Sequence, residues 1–361
     1  MALNTDKHHS EEVAGSWLET RFPAKPILEG LKGWTVGSHR SSYWMFFGGT
    51  TLFFFGIQVL TGMLLLLYYS PTPETAHESV YFIISQVPFG WLIRSIHAWS
   101  SNLLVGSLFI HFFSTMLLRS YRKPRELVWI TGMLLMFIML GFAFTGYLLP
   151  WDTVAYAGTN IGVEMPASIP VIGGIITSIL RGGDTVGAET LKRLFALHVS
   201  IFPLLCLVLT IVHLMLRNLH GLSVPIGSRV RYTGDSLYPE YLLKNAVVWT
   251  GCAMMVISLA MLLPATLGAK ADMLRAAPAG IKPEWYFLFL YETMNLFPTT
   301  LFGLNGEMVV NGVLGAAVAG LVLLPFFDRK AAREERSSLV TVLGIGVILY
   351  MVVMTILGYR L

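Results

Sequence analysis

SIHAWSSNLLVGSLFIHFFSTMLL, residues 95–118, has no charged residue and is long enough to cross a bilayer, yet it carries two histidines, His97 and His111. An imidazole inside a lipid-embedded helix is costly unless it is paired, bound to a metal or part of a proton path. The interval of fourteen residues sets the two rings about 21 Å apart along a helix axis and returns them to nearly the same face. One helix therefore offers two ligands at two depths. A second charge-free stretch, LFALHVSIFPLLCLVLTIVHLML at 194–216, carries His198 and His213, fifteen residues apart. Two such helices can clamp two flat metallocofactors between them, and bis-imidazole ligation of haem iron is the commonest chemistry with that geometry. One such histidine alone would read as a hydrogen-bonded residue in a transporter core; four in two matched pairs read as ligands.

The rest of the chain has the composition of a membrane protein. Its 361 residues are 55% hydrophobic and only 13% charged, about half the charge of a soluble domain. Uncharged intervals run over 41–73, 95–118, 127–151, 194–216, 245–269, 308–327 and 337–359. Each reaches the roughly 20 residues that a transmembrane helix needs, so an all-α integral membrane protein with seven transmembrane helices, spans A to G, is expected. Basic residues cluster in alternate connections: Arg119, Arg122, Lys123 and Arg125 between B and C, Arg217, Arg229, Arg231 and Lys244 between D and E, and Arg329, Lys330, Arg333 and Arg336 between F and G. These connections belong in the cytoplasm with the N-terminus, and the odd span count puts the C-terminus outside. The net charge of +4 then reflects membrane topology and not a nucleic-acid surface. Cys206 and Cys252 are the only cysteines and both lie in apolar spans, which leaves no disulfide framework, no C-x-x-C-H site and no iron–sulfur ligand set. The first 40 residues are polar, so no cleavable signal peptide is expected, and residues 13–32 read as a short helix on the cytoplasmic surface.

The histidine interval recurs in glycines. Gly48 and Gly62 in span A, and Gly132 and Gly146 in span C, are each fourteen residues apart. Glycine allows a backbone or a flat cofactor to come close, so all four are candidate cofactor-facing positions. Spans B and D both run from outside to inside, which pairs His97 with His198 and His111 with His213. The extra residue in D would turn His213 by about 100° on an ideal helix, and a kink at Pro203 is expected to re-aim it. Two apolar segments too short or broken to span, MPASIPVIGGIITSILRGG after C and IKPEWYFLFLYETM at 281–294, are expected to lie on the outer surface. The second places Glu284 between Pro283 and Trp285, where a carboxylate in an aromatic pocket can act as a proton acceptor.

Taken together, the paired histidines, the fourteen-spaced glycines, the PWD at 150–152 and the Pro-Glu-Trp-Tyr at 283–286 resemble the cytochrome b subunit of the quinol-oxidising bc complexes. The likeness runs from about Trp17 to span G. FGWLIRSIHAWS, RKPRELVWITG and SIPVIGG are closest to the plastid-type branch, whose two parts are here joined in one chain. The resemblance implies two haems b, the outer and low-potential one on His97 and His198, the inner and high-potential one on His111 and His213. It implies quinol oxidation in an outer pocket with Glu284 accepting a proton and Tyr291 lining the wall, and Arg94 meeting haem propionates. One electron would leave to a Rieske iron–sulfur protein and a c-type cytochrome subunit or other soluble acceptor, and the other through the haems to an inner quinone site. The plastid-type branch anchors a third haem by a cysteine where this chain has Phe46, so no covalent third haem is expected. At the inner site this chain reads Lys244-Asn245 where the related segment ends in Lys-Asp, and His220 is the substitute acid.

The expected organisation is a cytoplasmic leader over 1–40, a four-helix di-haem bundle over 41–220 and a three-helix quinone-site part over 221–361, within a dimeric complex in a bacterial plasma membrane. Two rivals share the four histidines. A di-haem anchor of another quinone-linked dehydrogenase gives no reason for the Glu284 segment, and a haem-free proton-coupled transporter would be colourless.

Overall fold

The computed structural model describes residues 35–38, 44, 46–169, 171–221, 223, 226, 233–236, 239, 241–273, 280–333, 335 and 338–360. The surface helix expected over 13–32 lies outside them. The described chain is a layer of apolar helices: α1 (Phe46–Leu66), α2 (Ala76–Ser85), α3 (Gly90–Leu117), α4 (Glu126–Leu148), α5 (Thr153–Glu164), α6 (Gly173–Arg181), α7 (Ala188–Ala196), α8 (Phe202–His220), α9 (Leu242–Leu262), α10 (Trp285–Leu296), α11 (Gly306–Val322), α12 (Leu324–Phe327), α13 (Arg329–Ala332) and α14 (Ser338–Arg360). α7 and α8 form one rod from Ala188 to His220, joined by a π-helical turn over Leu197–Ile201. α1 packs along α3, α4 along α8, α9 against α3, and α10 against α14.

These helices are apolar around most of their circumference, as a bilayer solvent requires. Phe54, Leu104, Leu108, Met133, Met136, Cys206 and Val256 form the core between helices. Leu204, Val208, Ile211 and Met215 of α8 are exposed, which hydrocarbon tolerates without penalty.

Among the described residues, six helices are long and apolar enough to cross a membrane: α1, α3, α4, the α7–α8 rod, α9 and α14. Span F differs from expectation. Its helix α11 stops after 17 residues at Val322 and resumes as the short α12. Pro325 accounts for the break, because it has no N–H to offer the carbonyl of Leu321 one turn back. That carbonyl instead accepts a hydrogen bond from the indole Nε1 of Trp129 in α4 at 2.9 Å. The interruption thus docks span F onto span C.

One end of the layer gathers the basic connections. Strands β1 (Thr35–Ser38) and β2 (Thr233–Ser236) pair antiparallel, tying the chain before α1 to the connection after α8. Arg125 donates to the carbonyls of Gly221 and His220, Arg122 to Ser223 Oγ, and the buried Tyr121 hydroxyl to Asp328 Oδ2 at 2.7 Å. At the opposite end, the short helices α5 and α6 pack on each other, α5 also on α4 and α6 on α7. Asp152 starts α5 by accepting from Ala155 N–H and also accepts from Gly268 N–H, so the connection after α9 is stitched over the mouth of α3 and α4.

Candidate functional site

Each of the four histidines sits opposite one of the four glycines. A Cβ added to Gly48 would lie 3.0 Å from Cε1 of His111, one on Gly62 3.4 Å from that of His97, one on Gly132 3.2 Å from that of His213, and one on Gly146 2.7 Å from that of His198. The matched intervals of α1, α3, α4 and α8 therefore bring ring and glycine to the same depth twice over. A Cβ at Gly146 would displace its imidazole and one at Gly48 or Gly132 would crowd its own, whereas one at Gly62 would make an ordinary contact.

The rings of His97 and His198 have their centres 6.5 Å apart, with planes inclined at 68°. A metal–imidazole bond is roughly 2 Å, with the ring centre about 1 Å behind the nitrogen, so two imidazoles on opposite sides of one ion bring their centres roughly 6 Å apart. The pair therefore fits bis-imidazole ligation. His111 and His213 line a single cavity of about 380 Å³ together with Gly48, Gly132, Arg217 and Asn245.

The tautomer of three rings follows from threonines that precede the glycines. Thr61 Oγ1 donates its proton to the carbonyl of Ile57 at 2.7 Å and lies 2.8 Å from His97 Nδ1. A hydroxyl has one proton, so toward the ring it accepts; Nδ1 carries the hydrogen and Nε2 is left with a free lone pair. Thr131 stands likewise between Leu127 O and His213 Nδ1, and Thr145 between Gly141 O and His198 Nδ1. His198 Nδ1 is also 3.1 Å from the carbonyl of Phe142, which can only accept. A lone pair held on Nε2 is what a haem ligand requires.

The fifteen-residue interval in span D is absorbed by the π-helical turn that carries His198, where Phe202 N–H bonds to Leu197 O, five residues back. This corrects the expectation of a re-aiming kink at Pro203: a π turn takes up one extra residue, so fifteen positions advance the helix face as fourteen do in α-helix. Pro203 follows directly and has no N–H to claim the carbonyl of Val199.

On the α5–α10 side, Glu284 stands at the start of α10 without capping it. Burial pushes its carboxyl above the ordinary carboxylate range, and its charge is felt by the phenols of Tyr147 and Tyr286. Trp285 Nε1 donates to Asn102 Oδ1 at 2.8 Å, which anchors this segment to α3 between its two histidines. Tyr291, half-buried, lies two helical turns along α10 from Glu284 on the same face. Arg94, three residues before His97, donates to the carbonyls of Ala265 and Thr266, clamping the connection after α9.

At the opposite end, Asn245 is buried, and its Oδ1 would lie 3.0 Å from a Cβ on Gly49. Lys244 is exposed, and neither it nor His220 lines the cavity with Asn245. Phe46 stacks on Tyr241, ring centres 6.4 Å apart. Sequence reasoning missed the threonines, although Thr-Gly stands in plain view at 61, 131 and 145; it also missed Tyr147 and Asn102, which have no local signature.

Gly146→Ala is expected to lower haem per chain measurably, whereas Gly62→Ala retains it. The first places a methyl 2.7 Å from a ring held by Thr145 and Phe142, an overpacking cost of about 1–3 kcal/mol, and the second makes an ordinary 3.4 Å contact. Haem quantification on the two purified variants checks this.

The family described as Cytochrome b/b6/petB matches residues 32–221, and that described as Cytochrome b(C-terminal)/b6/petD matches residues 270–361. The chain is 42% identical over 358 residues to the cytochrome bc complex cytochrome b subunit of Chlorobaculum thiosulfatiphilum, covering 98% of this chain and 82% of that one. It is 40% identical over 212 residues to cytochrome b6 of Heliobacterium mobile, covering 58% of this chain and 100% of that one. Among solved structures it resembles a chain of a hyperthermophilic respiratory Complex III with a TM-score of 0.82 and 30% identity, covering 95% of this chain and 91% of that one.

Proposed function

The chain belongs to the cytochrome b/b6 family, haem-b-binding membrane proteins of bc-type complexes, and on that premise we propose that it is the quinone-binding, electron-conducting subunit of a quinol:electron-acceptor oxidoreductase. The observation that carries the reading is the pair of imidazoles with centres 6.5 Å apart, each backed by a glycine and held in one tautomer by a threonine.

His97 with His198, and His111 with His213, would hold two haems b between α3 and the α7–α8 rod. Gly48, Gly62, Gly132 and Gly146 keep α1 and α4 clear of the rings. Arg94 has guanidinium donors left beyond its two carbonyl bonds and is the residue for an outer propionate. When bound, the haems supply a one-electron path across the membrane.

Quinol oxidation takes place beside α10. Glu284, raised by burial, accepts a proton from the quinol hydroxyl, Tyr291 lines the pocket, and the bond from Trp285 to Asn102 holds the segment in register with α3. One of the two quinol electrons goes to a Rieske iron–sulfur protein and on to a c-type cytochrome subunit or other soluble acceptor. Those groups come from partner chains, since Cys206 and Cys252 are the only cysteines here. The quinone-reducing site lies at the Asn245 end of the cavity that His111 and Asn245 share, which Lys244 and His220 do not line.

The chain crosses a bacterial plasma membrane seven times, the interrupted α11–α12 segment being the sixth span. The end where β1–β2, Arg122, Arg125 and Asp328 meet faces the cytoplasm. A bundle over 41–220 carries the haems, 221–361 completes the quinone sites, and the complex is a dimer.

The test is a redox-titrated visible spectrum of the purified complex with haem quantified per chain. Two b haems titrating at separate potentials are expected; a colourless protein would return the chain to the transporter reading.

A further inference from the structure

Three of the four ring-facing glycines follow a threonine, and the fourth does not. The pairs are Thr61-Gly62, Thr131-Gly132 and Thr145-Gly146, against Phe47-Gly48. Residue 47 stands in α1 where Thr61 stands one fourteen-residue interval later, and Gly48 is as close to its imidazole as the other glycines are to theirs. Phenylalanine has no hydroxyl to accept from that ring. Its own ring stacks on Trp44, centres 6.1 Å apart, and its carbonyl is taken by Thr51 Oγ1 at 2.8 Å. His111 Nδ1 is buried and has no hydrogen-bond partner among the described residues. The missing hydroxyl and the orphaned nitrogen are independent observations of one asymmetry.

We propose that Phe47 is a positioning residue that leaves His111 the weakest electron donor of the four haem ligands, and so raises the potential of the His111–His213 haem above that of the His97–His198 haem. The inference rests on the ligation read above and adds the residue that differentiates the two sites. A hydrogen bond accepted from Nδ1–H draws the ring toward imidazolate and makes Nε2 more basic, which stabilises the oxidised metal. The His97–His198 pair has that bond on both rings, with the Phe142 carbonyl reinforcing one of them. The His111–His213 pair has it on His213 alone. Fewer donors of this kind favour the reduced form, so electrons are biased toward the His111 side.

The experiment is a spectroelectrochemical titration of the purified complex carrying Phe47→Thr, with Phe47→Ala as control. Phe47→Thr supplies an acceptor, so the midpoint of the His111–His213 haem falls. The expected change is about threefold in its reduced-to-oxidised ratio at fixed potential, about 28 mV at 59 mV per tenfold for a one-electron couple. The other midpoint stays, and the low-spin electron paramagnetic resonance signal of the affected haem moves with its potential. Phe47→Ala removes the ring without adding an acceptor and leaves the midpoint in place. An unmoved or raised midpoint in Phe47→Thr, or an equal shift of both haems, overturns the proposal. If Phe47→Thr does not assemble, Thr131→Val removes the bond on His213 and must raise the same midpoint; no rise overturns it too. A wild-type complex without two b haems would instead sink the ligation reading itself, and the two failures are told apart by haem content.

Discussion

Replacing His97 by alanine is expected to remove one b haem per chain and leave the second with an unchanged potential, and His198→Ala is expected to do the same to the same haem. On the proposed ligation the two rings are partners at one depth, and Thr145 and the Phe142 carbonyl hold His198 in place whether or not His97 is present. With one imidazole gone, the remaining ring alone would not hold the haem that the pair would hold. His111→Ala and His213→Ala should both remove the other haem. The stronger test is the double variant. His97→Ala with His198→Ala should cost no more haem than either alone, because both act on one site, whereas His97→Ala with His213→Ala should leave none. Haem per chain and the low-spin resonance signal read both outcomes. Retention of one haem in the His97/His213 double variant would overturn the pairing and require a crossed set of ligands.

The pairing rests on intervals, and intervals were what the sequence displayed best. Charge-free stretches of bilayer length mark α1, α3, α4, α8, α9 and α14 because a helix in hydrocarbon leaves no room for charge. The glycine spacing was equally legible, since it repeats the spacing of the histidines. The π-helical turn at Leu197–Ile201 was not, because nothing in LHVSI distinguishes a five-residue hydrogen bond from a four-residue one; the extra residue announced a problem, and Pro203 drew the explanation to itself. Span F was read from composition as continuous, and only the geometry shows Trp129 of α4 taking the Leu321 carbonyl that Pro325 leaves open. Arg94 was legible as a residue near the first histidine, but its bonds to Ala265 and Thr266 depend on the path of a connection about 170 residues away in sequence, which periodicity does not encode. The same holds for Asn102 beneath Trp285.

The Glu284 segment joins such a long-range contact to a chemical step, and it supports the second large effect. Glu284→Gln is expected to slow quinol oxidation by about a hundredfold while both haems keep their spectra, since removal of a positioned general base costs roughly 10² to 10⁴ in rate. Glutamine keeps the shape of the side chain but cannot take the proton. The pH dependence follows from burial, which raises the carboxyl above its ordinary range. The accepting form is the carboxylate, present only above that raised value. In the wild type the rate therefore falls on the acid side at a pH above the ordinary carboxylate range, and the base side is untouched by this group. In Glu284→Gln the acid limb disappears, leaving a low rate that no longer depends on pH there. Glu284→Asp retains the limb at a reduced rate, because the shorter side chain holds the same chemistry further from the quinol. Steady-state oxidation of a quinol by the intact complex across the acid range, with haem content as control, reads all three. A Glu284→Gln complex that keeps the wild-type rate and its acid limb would move the proton acceptor elsewhere.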